Sequence, residues 1–348
     1  MGAVVGIIAN PVSARDIRRV IANAASLQIA DRANIVLRVL ACLRAGGVNE
    51  VLMMPENGGI RGHVERRLAR ARNLGEAAFP TVRQVAMPVT GTVADTRRAT
   101  IAMCEAGVAA IVVLGGDGTH RAVAARCGST PIAGISTGTN NAFPEHREPT
   151  VTGLATALAV TGRVPGPIAF LDNKRLDVSI NDGATREIAL VDVAFVTECY
   201  VGARALWRTD TFRELFVTFA DPQVIGMSSI AGLLEPVTRA ESGGLAVRMA
   251  PPNRSRHVLQ APIAPGLISS VGIDSWGRMP NGVAFVPELR AGSIALDGER
   301  ELSFSERDRI LVTLEDAAFR TVNVGGVMAY AARHGLLRYA LSHLNAAE

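Results

Sequence analysis

In the first part of the chain, hydrophobic positions alternate between two textures. Residues 3–9, 51–54, 81–89, 109–114 and 131–135 are short, nearly unbroken apolar runs, the pattern of strands buried on both faces. Between them, residues 14–30, 33–45, 61–74, 93–106 and 120–127 space apolar positions three and four apart among charged ones, which predicts amphipathic helices. Strand and helix in regular turn predict a largely parallel sheet with helices on both faces, a three-layer α/β domain. Ligands of such sheets sit beyond the carboxyl ends of the strands, where the loops gather.

A further helical stretch, residues 150–161, closes the alternation, and 163–167, with prolines at 165 and 167, reads as a crossover. The strand-like runs that follow are divided by turn residues: 175–180, 188–196, 245–249, 257–261, 282–286, 293–296 and 310–314. This half predicts a mainly β sandwich with a helical insertion over 205–235. Residues 327–344 turn helical again, placed to pack back on the first domain. The expected division is an α/β nucleotide-binding domain over 1–163, a mainly β acceptor-side domain over 164–326, and a tail over 327–348.

Composition narrows the function. The 348 residues hold 36 Lys and Arg against 32 Asp and Glu, a net charge of only +4, spread without a basic block or interleaved aromatics. That pattern argues against a nucleic-acid partner. No apolar run approaches the roughly 18 residues of a membrane span. The apolar start, followed at once by Asn10-Pro11, reads as a strand rather than a signal peptide, and Gly6 stands where a myristoylation motif needs Ser or Thr. Cys42, Cys104, Cys127 and Cys199 form no C-x-x-C pair, so reduced thiols in a cytoplasmic protein are expected, without a zinc site.

The strongest chemical signal is Gly115-Gly116-Asp117-Gly118-Thr119, where a buried strand runs through three glycines into a helix. Glycines let backbone approach a bulky anion, and the helix amino terminus turns its N–H groups toward it. Asp117 repels a phosphate, so its useful roles are to organise Mg²⁺ or to take a proton from an attacking hydroxyl. Thr119 suits an N-cap or a phosphate contact. The bland alternative is a structural turn in which Asp117 is only a cap. There is no G-x-x-x-x-G-K-[ST] loop, Lys174 is the only lysine, and no G-x-G-x-x-G fingerprint follows the strand. Cationic help for a phosphate must come from Arg, His, Mg²⁺ or backbone.

A second strand-to-loop segment, residues 134–144, offers hydroxyls and amides at Ser136, Thr137, Gly138, Thr139, Asn140 and Asn141. It also fits G-x-S-x-G with Ser136 as nucleophile, but Pro144 forbids the long helix that such an elbow opens. His120 and Arg121 follow the glycine loop as phosphate contacts or solvated first-turn residues, and Trp207 and Trp276 offer rings for stacking on a base but are expected by default to pack in cores.

Asn10-Pro11 after the first strand, the glycine loop and the Gly-Thr-Asn-Asn-Ala-Phe segment together resemble the superfamily that unites NAD kinases with diacylglycerol and sphingosine kinases. More closely, the chain resembles the acetoin catabolism protein X family, grouped with the ATP-NAD kinases. The resemblance implies ATP with Mg²⁺ as cofactor, Asp117 as the catalytic or metal-organising carboxylate, and nucleotide contacts from Gly115, Gly116, Gly118, Thr119, Thr137, Gly138, Thr139, Asn140 and Asn141. It also implies a homo-oligomer. The Asn-Glu pair with which NAD kinases grip their acceptor falls near Val191-Asp192, where the amide is gone and the acid is shortened. Their Gly-Ser-Thr-Ala-Tyr segment is replaced around residues 265–269. Asp297-Gly298-Glu299 resembles the acidic segment of the lipid kinases, a possible acceptor or metal side; on a strand Asp297 and Glu299 share a face, whereas Asp-Gly also signals a hairpin turn. NAD, a lipid or sphingoid alcohol, or no acceptor at all in a silent nucleotide-binding regulator, remain open.

Overall fold

The computed structural model describes residues 2–11, 27–137, 141–198 and 209–338. Most of the helix expected over 14–30, together with Gly138, Thr139, Asn140, Cys199, Trp207 and the end of the tail, lies outside them. The predicted alternation is present as β1 (Val4–Ala9), α1 (Ile29–Ala45), β2 (Glu50–Met53), α2 (Ile60–Asn73), β3 (Thr81–Gln84), α3 (Val93–Glu105), β4 (Ala110–Gly115), α4 (Asp117–Ala124), β5 (Ile132–Ser136) and α5 (Pro149–Val160). Local chemistry starts several helices. Thr92 accepts from the Ala94 N–H, Glu148 accepts from the Thr150 N–H ahead of a first-turn proline, and Glu56 accepts from the Arg61 N–H.

The first five strands pair in parallel in the order β3-β2-β1-β4-β5. Helices α1, α2 and α5 bury Val36, Leu40, Ile60, Val64 and Leu158 on one face. Helices α3 and α4 bury Ala99, Met103 and Val123 on the other.

The remaining elements are α6 (Gly166–Ala169), β6 (Phe170–Ile180), β7 (Thr185–Ala189), β8 (Asp192–Val196), β9 (Phe212–Val217), α7 (Met227–Gly232), β10 (Gly244–Ala250), β11 (His257–Ala264), β12 (Leu267–Met279), β13 (Ala284–Phe285), β14 (Gly292–Leu296), β15 (Glu299–Phe304), β16 (Ile310–Val322) and α8 (Val324–Arg333). Strand β16 meets β5 in parallel at Thr321 and Ile132, then runs antiparallel to β6, which pairs with β7. One sheet therefore continues from the α/β layers into the second half of the chain. A second, antiparallel sheet, β11-β12-β10-β9-β8-β14-β15, packs on that continuation. Leu176, Val178, Val312 and Leu314 of the first sheet share a core with Phe195, Phe216, Ile294 and Leu296 of the second, which is the expected sandwich. Helix α8 packs on α5 and α6.

Two expectations need correction. The helical insertion expected over 205–235 contains a central strand, β9, preceded by a single 3-10 turn at Thr209–Thr211 and followed by the short helix α7; residues 205–208 lie outside the described chain. Phe212, Leu215 and Val217 face the core beneath α7 while Phe216 faces the sandwich, so both faces are apolar and the strand shows no two-residue period. The single run over 188–196 is two strands, β7 and β8, in different sheets. Among the described residues no helix is long and apolar enough to cross a membrane.

Candidate active site

Strand β4 is buried along its whole length and ends at Gly115, so the chain reaches the edge of the sheet already aimed into α4. A Cβ on Gly115 would lie 2.5 Å from the Thr119 Cβ, so only glycine lets the helix fold back this tightly. Gly116 is the N-cap, and its carbonyl accepts from the N–H groups of Thr119 and His120 at 3.0 and 3.1 Å. Asp117 and Gly118 open the first turn. The Thr119 hydroxyl accepts from the Asn10 side-chain amide at 3.3 Å, joining the end of β1 to the glycine loop.

The second loop is sewn to the first. Thr137 donates its N–H to the Gly115 carbonyl at 3.2 Å, and the Asn141 amide donates to Ser136 Oγ at 2.9 Å. A Cβ on Gly116 would approach Asn141 Oδ1 to 2.9 Å. Arg32, buried in the first turn of α1, donates to the Asn10 carbonyl at 3.0 Å and to the Thr137 hydroxyl at 3.3 Å. The sequence reading missed Arg32; its one signal is an arginine on the buried face of a helix, in line with Val36 and Leu40.

Asp117 occupies the centre. Its two carboxylate oxygens accept the N–H groups of Ala142 and Phe143, each at 3.0 Å. Burial, and then the nearby Asp297 carboxylate, push the Asp117 carboxyl up to about 7, against the pull of those amides and of Arg239. Asp297 arrives from the sandwich. With φ values of +51° and +77°, Asp297 and Gly298 make a two-residue left-handed turn between β14 and β15. The hairpin turn is present, so Asp297 and Glu299 do not share one strand face. Asp297 is not the solvated carboxylate that a turn suggests. Its Oδ1 accepts the N–H groups of Leu190 and Val191 at 2.9 and 2.8 Å, and its Oδ2 lies 3.6 Å from Arg121 Nη1. Burial raises its carboxyl too, with Arg121 opposing. Asp192 accepts the Gly298 N–H at 3.1 Å, so it braces the same turn. Glu299 stands next along β15, half-buried.

His120 and Arg121 correct the sequence reading, because neither is a solvated first-turn residue. His120 is fully buried against Phe143, its Nδ1 2.9 Å from the Gly116 carbonyl, and burial lowers its pKa to about 4. Arg121 crosses to the sandwich and donates to the Leu296 carbonyl at 2.9 Å. Trp276 is also not a core residue. It is 40% exposed on β12 beside His257.

A second residue missed from sequence is Arg239, on the loop before β10. Its guanidinium donates to the Ala142 carbonyl at 2.5 Å and lies 4.1 Å from the Phe219 ring centroid and 5.4 Å from that of Phe143. Nothing in its local sequence marks it. Phe143, Leu190, Val191 and Phe219 share one core cluster, so the loops of the parallel sheet and the rim of the sandwich are packed together around Asp117. Lys174, the sole lysine, is engaged elsewhere and donates to the carbonyls of Thr238, Glu241 and Gly243.

Residues 5–164 match the ATP-NAD kinase N-terminal domain, and residues 174–317 match the acetoin catabolism protein X C-terminal domain. A protein of Cupriavidus necator named Acetoin catabolism protein X is 57% identical over 338 residues, covering 96% of this chain and 94% of that one.

Proposed function

The chain belongs to the acetoin catabolism protein X family, and we propose that it moves the terminal phosphoryl group of a bound nucleotide onto a small-molecule hydroxyl in the cleft around Asp117. The observation that carries this reading is a carboxylate pushed up to about 7 at the head of a helix, behind a glycine turn and facing the sandwich. A base with that affinity is matched to accepting a hydroxyl proton near neutral pH. The amides that open α4 suit phosphate oxygens. In the step we infer, the acceptor hydroxyl gives its proton to Asp117 and its oxygen bonds to phosphorus. The bond from phosphorus to the bridging oxygen breaks, and its electron pair leaves with the nucleoside diphosphate.

ATP is the donor and NAD the first acceptor in this reading, supported by the match of residues 5–164 to the ATP-NAD kinase domain. Asp297, which reaches the same cleft, favours a lipid or sphingoid alcohol as the alternative. Among the described residues no three His, Cys, Asp or Glu side chains converge to hold a metal ion, so Mg²⁺ would enter on the nucleotide phosphates and neutralise their charge. The relative's name supports a role in acetoin catabolism. Free Cys42, Cys104 and Cys127 suit a reducing cytoplasm. We also expect a homo-oligomer, to be checked by light scattering.

One observation favours a second reading, nucleotide binding without turnover: both Asp117 oxygens are already latched to backbone amides. The two readings separate when the protein is incubated with Mg-ATP and either NAD or diacylglycerol, and ADP is followed beside Asp117→Asn. The kinase reading expects acceptor-dependent ADP that the variant loses. Equal rates in the two proteins, or none with any acceptor, would sink it.

A further inference from the structure

Among the described residues, no carboxylate lies within ion-pair distance of the Arg239 guanidinium. Its planar group has five N–H donors, and among the described residues one carbonyl, that of Ala142, accepts from it. Glu145, Asp117 and Asp221 attract its charge from beyond that distance. Phe219 covers one face of the guanidinium at 4.1 Å, and Phe143 lies nearby. A cation drawn out of water in this way is ordinarily paired, because removing its hydration without a counter-charge costs several kcal/mol.

The placement of Arg239 is also over-determined. Lys174 holds the carbonyls of Thr238, Glu241 and Gly243, on both sides of Arg239 in the chain. Asp316 holds the Gly243 N–H at 2.9 Å. At the far end, Ala142 gives its N–H to Asp117 and its carbonyl to Arg239, so one residue fixes the base and the cation relative to each other. A chain whose only lysine is spent tethering this loop has put an arginine where a phosphate-gripping lysine would be useful.

We propose that Arg239 binds the terminal phosphoryl group of the nucleotide in the Asp117 cleft and supplies the counter-charge it needs in transit. This rests on the kinase reading for the identity of the ligand, but the site itself requires only a phosphate. Arginine suits the task because its fork can keep the Ala142 carbonyl and still offer donors to phosphate oxygens.

The test is calorimetry of the full chain with Mg-ATP, Mg-ADP and inorganic pyrophosphate, on the parent protein, Arg239→Lys and Arg239→Met. Thermal melting reports whether each variant folds, and Arg239→Lys keeps the charge if the methionine variant does not. The expected result is ATP affinity down about tenfold to a hundredfold in Arg239→Met, with ADP affinity changed less than about threefold and partial rescue by lysine. ATP and ADP weakened equally, or neither weakened, would overturn the proposal and leave Arg239 as a staple between loops. Pyrophosphate binding that depends on Arg239, in a protein that ignores ATP, would sustain the phosphate site and sink the kinase reading. Binding of none of the three would overturn both.

Discussion

Gly118 is the position at which the fold and the ligand make opposite demands. It sits exposed in the first turn of α4, its φ is not positive, and a Cβ there meets nothing within 4 Å among the described residues. Gly115 is different, because the same Cβ would collide with Thr119 at 2.5 Å. For the empty protein, then, Gly118→Ala removes backbone freedom from the unfolded chain without straining the folded one, a gain of about 0.5–1 kcal/mol. In a domain of this size that raises the melting temperature by about 1–4 °C. Gly115→Ala should instead cost about 1–3 kcal/mol through overpacking. A phosphate resting on the amides of the first turn would meet the new methyl at residue 118, and Mg-ATP affinity should fall at least about tenfold, roughly 1.4 kcal/mol. Differential scanning fluorimetry and calorimetry on the same preparations read both effects. A Gly118→Ala protein that melts higher and binds ATP like the parent would refute the claim that phosphate approaches this face. One that melts lower would refute the packing argument.

Other outcomes follow from the same geometry. With Asp117 as base, kcat/KM of the parent protein should rise with pH through an apparent pKa of about 7, and a flat profile across that range would refute the role. Because the folded carboxyl lies above the ordinary aspartate value of 3.8, the folded state holds the proton more tightly than the unfolded one. The Asp117 contribution to stability therefore declines between pH ~4 and ~7, and denaturant titrations of Asp117→Asn should lose that slope. His120 behaves oppositely in acid. Its folded pKa of about 4 lies below 6.5, so stability should drop as pH falls from ~6.5 to ~4, by about 3 kcal/mol in total, and His120→Phe should flatten the curve. Lys174→Met strips a charged donor from three backbone carbonyls and should cost about 2–3 kcal/mol in urea unfolding; no loss would mean that the loop holds itself.

The α/β half was readable because its central strands β1 and β4 are buried on both faces and the helices between strands carry apolar stripes, so local period and local structure agree. The glycine loop was readable for a related reason: three glycines around one acid at a strand end have few other uses. What was hidden depends on partners far along the chain. Leu190 and Val191, apolar and without a turn residue, carry the chain from β7 to β8 because Asp297 accepts their N–H groups, at a sequence separation of 107 and 106 residues. A carboxylate stands in for the glycine or proline that would have marked the break. Arg239 reaches Ala142 across 97 residues, and Arg32 reaches Thr137 across 105. Neither arginine has a local pattern to betray it. Strand β9 carries no strand signal in sequence because α7 and the sandwich bury its two faces, and that double burial erases its alternation.

Transfer of label is the most direct test of the central claim. The protein is incubated with ATP labelled on its terminal phosphate, Mg²⁺ and a pool of candidate acceptors (NAD, acetoin, diacylglycerol and a sphingoid base). The products are then resolved by chromatography beside those of Asp117→Asn. The account predicts that label leaves ATP and appears on one acceptor in the parent protein, and that it stays on ATP in the variant. Label that remains on ATP in both, while calorimetry shows that ATP is bound, would contradict phosphoryl transfer and leave a nucleotide sensor in its place.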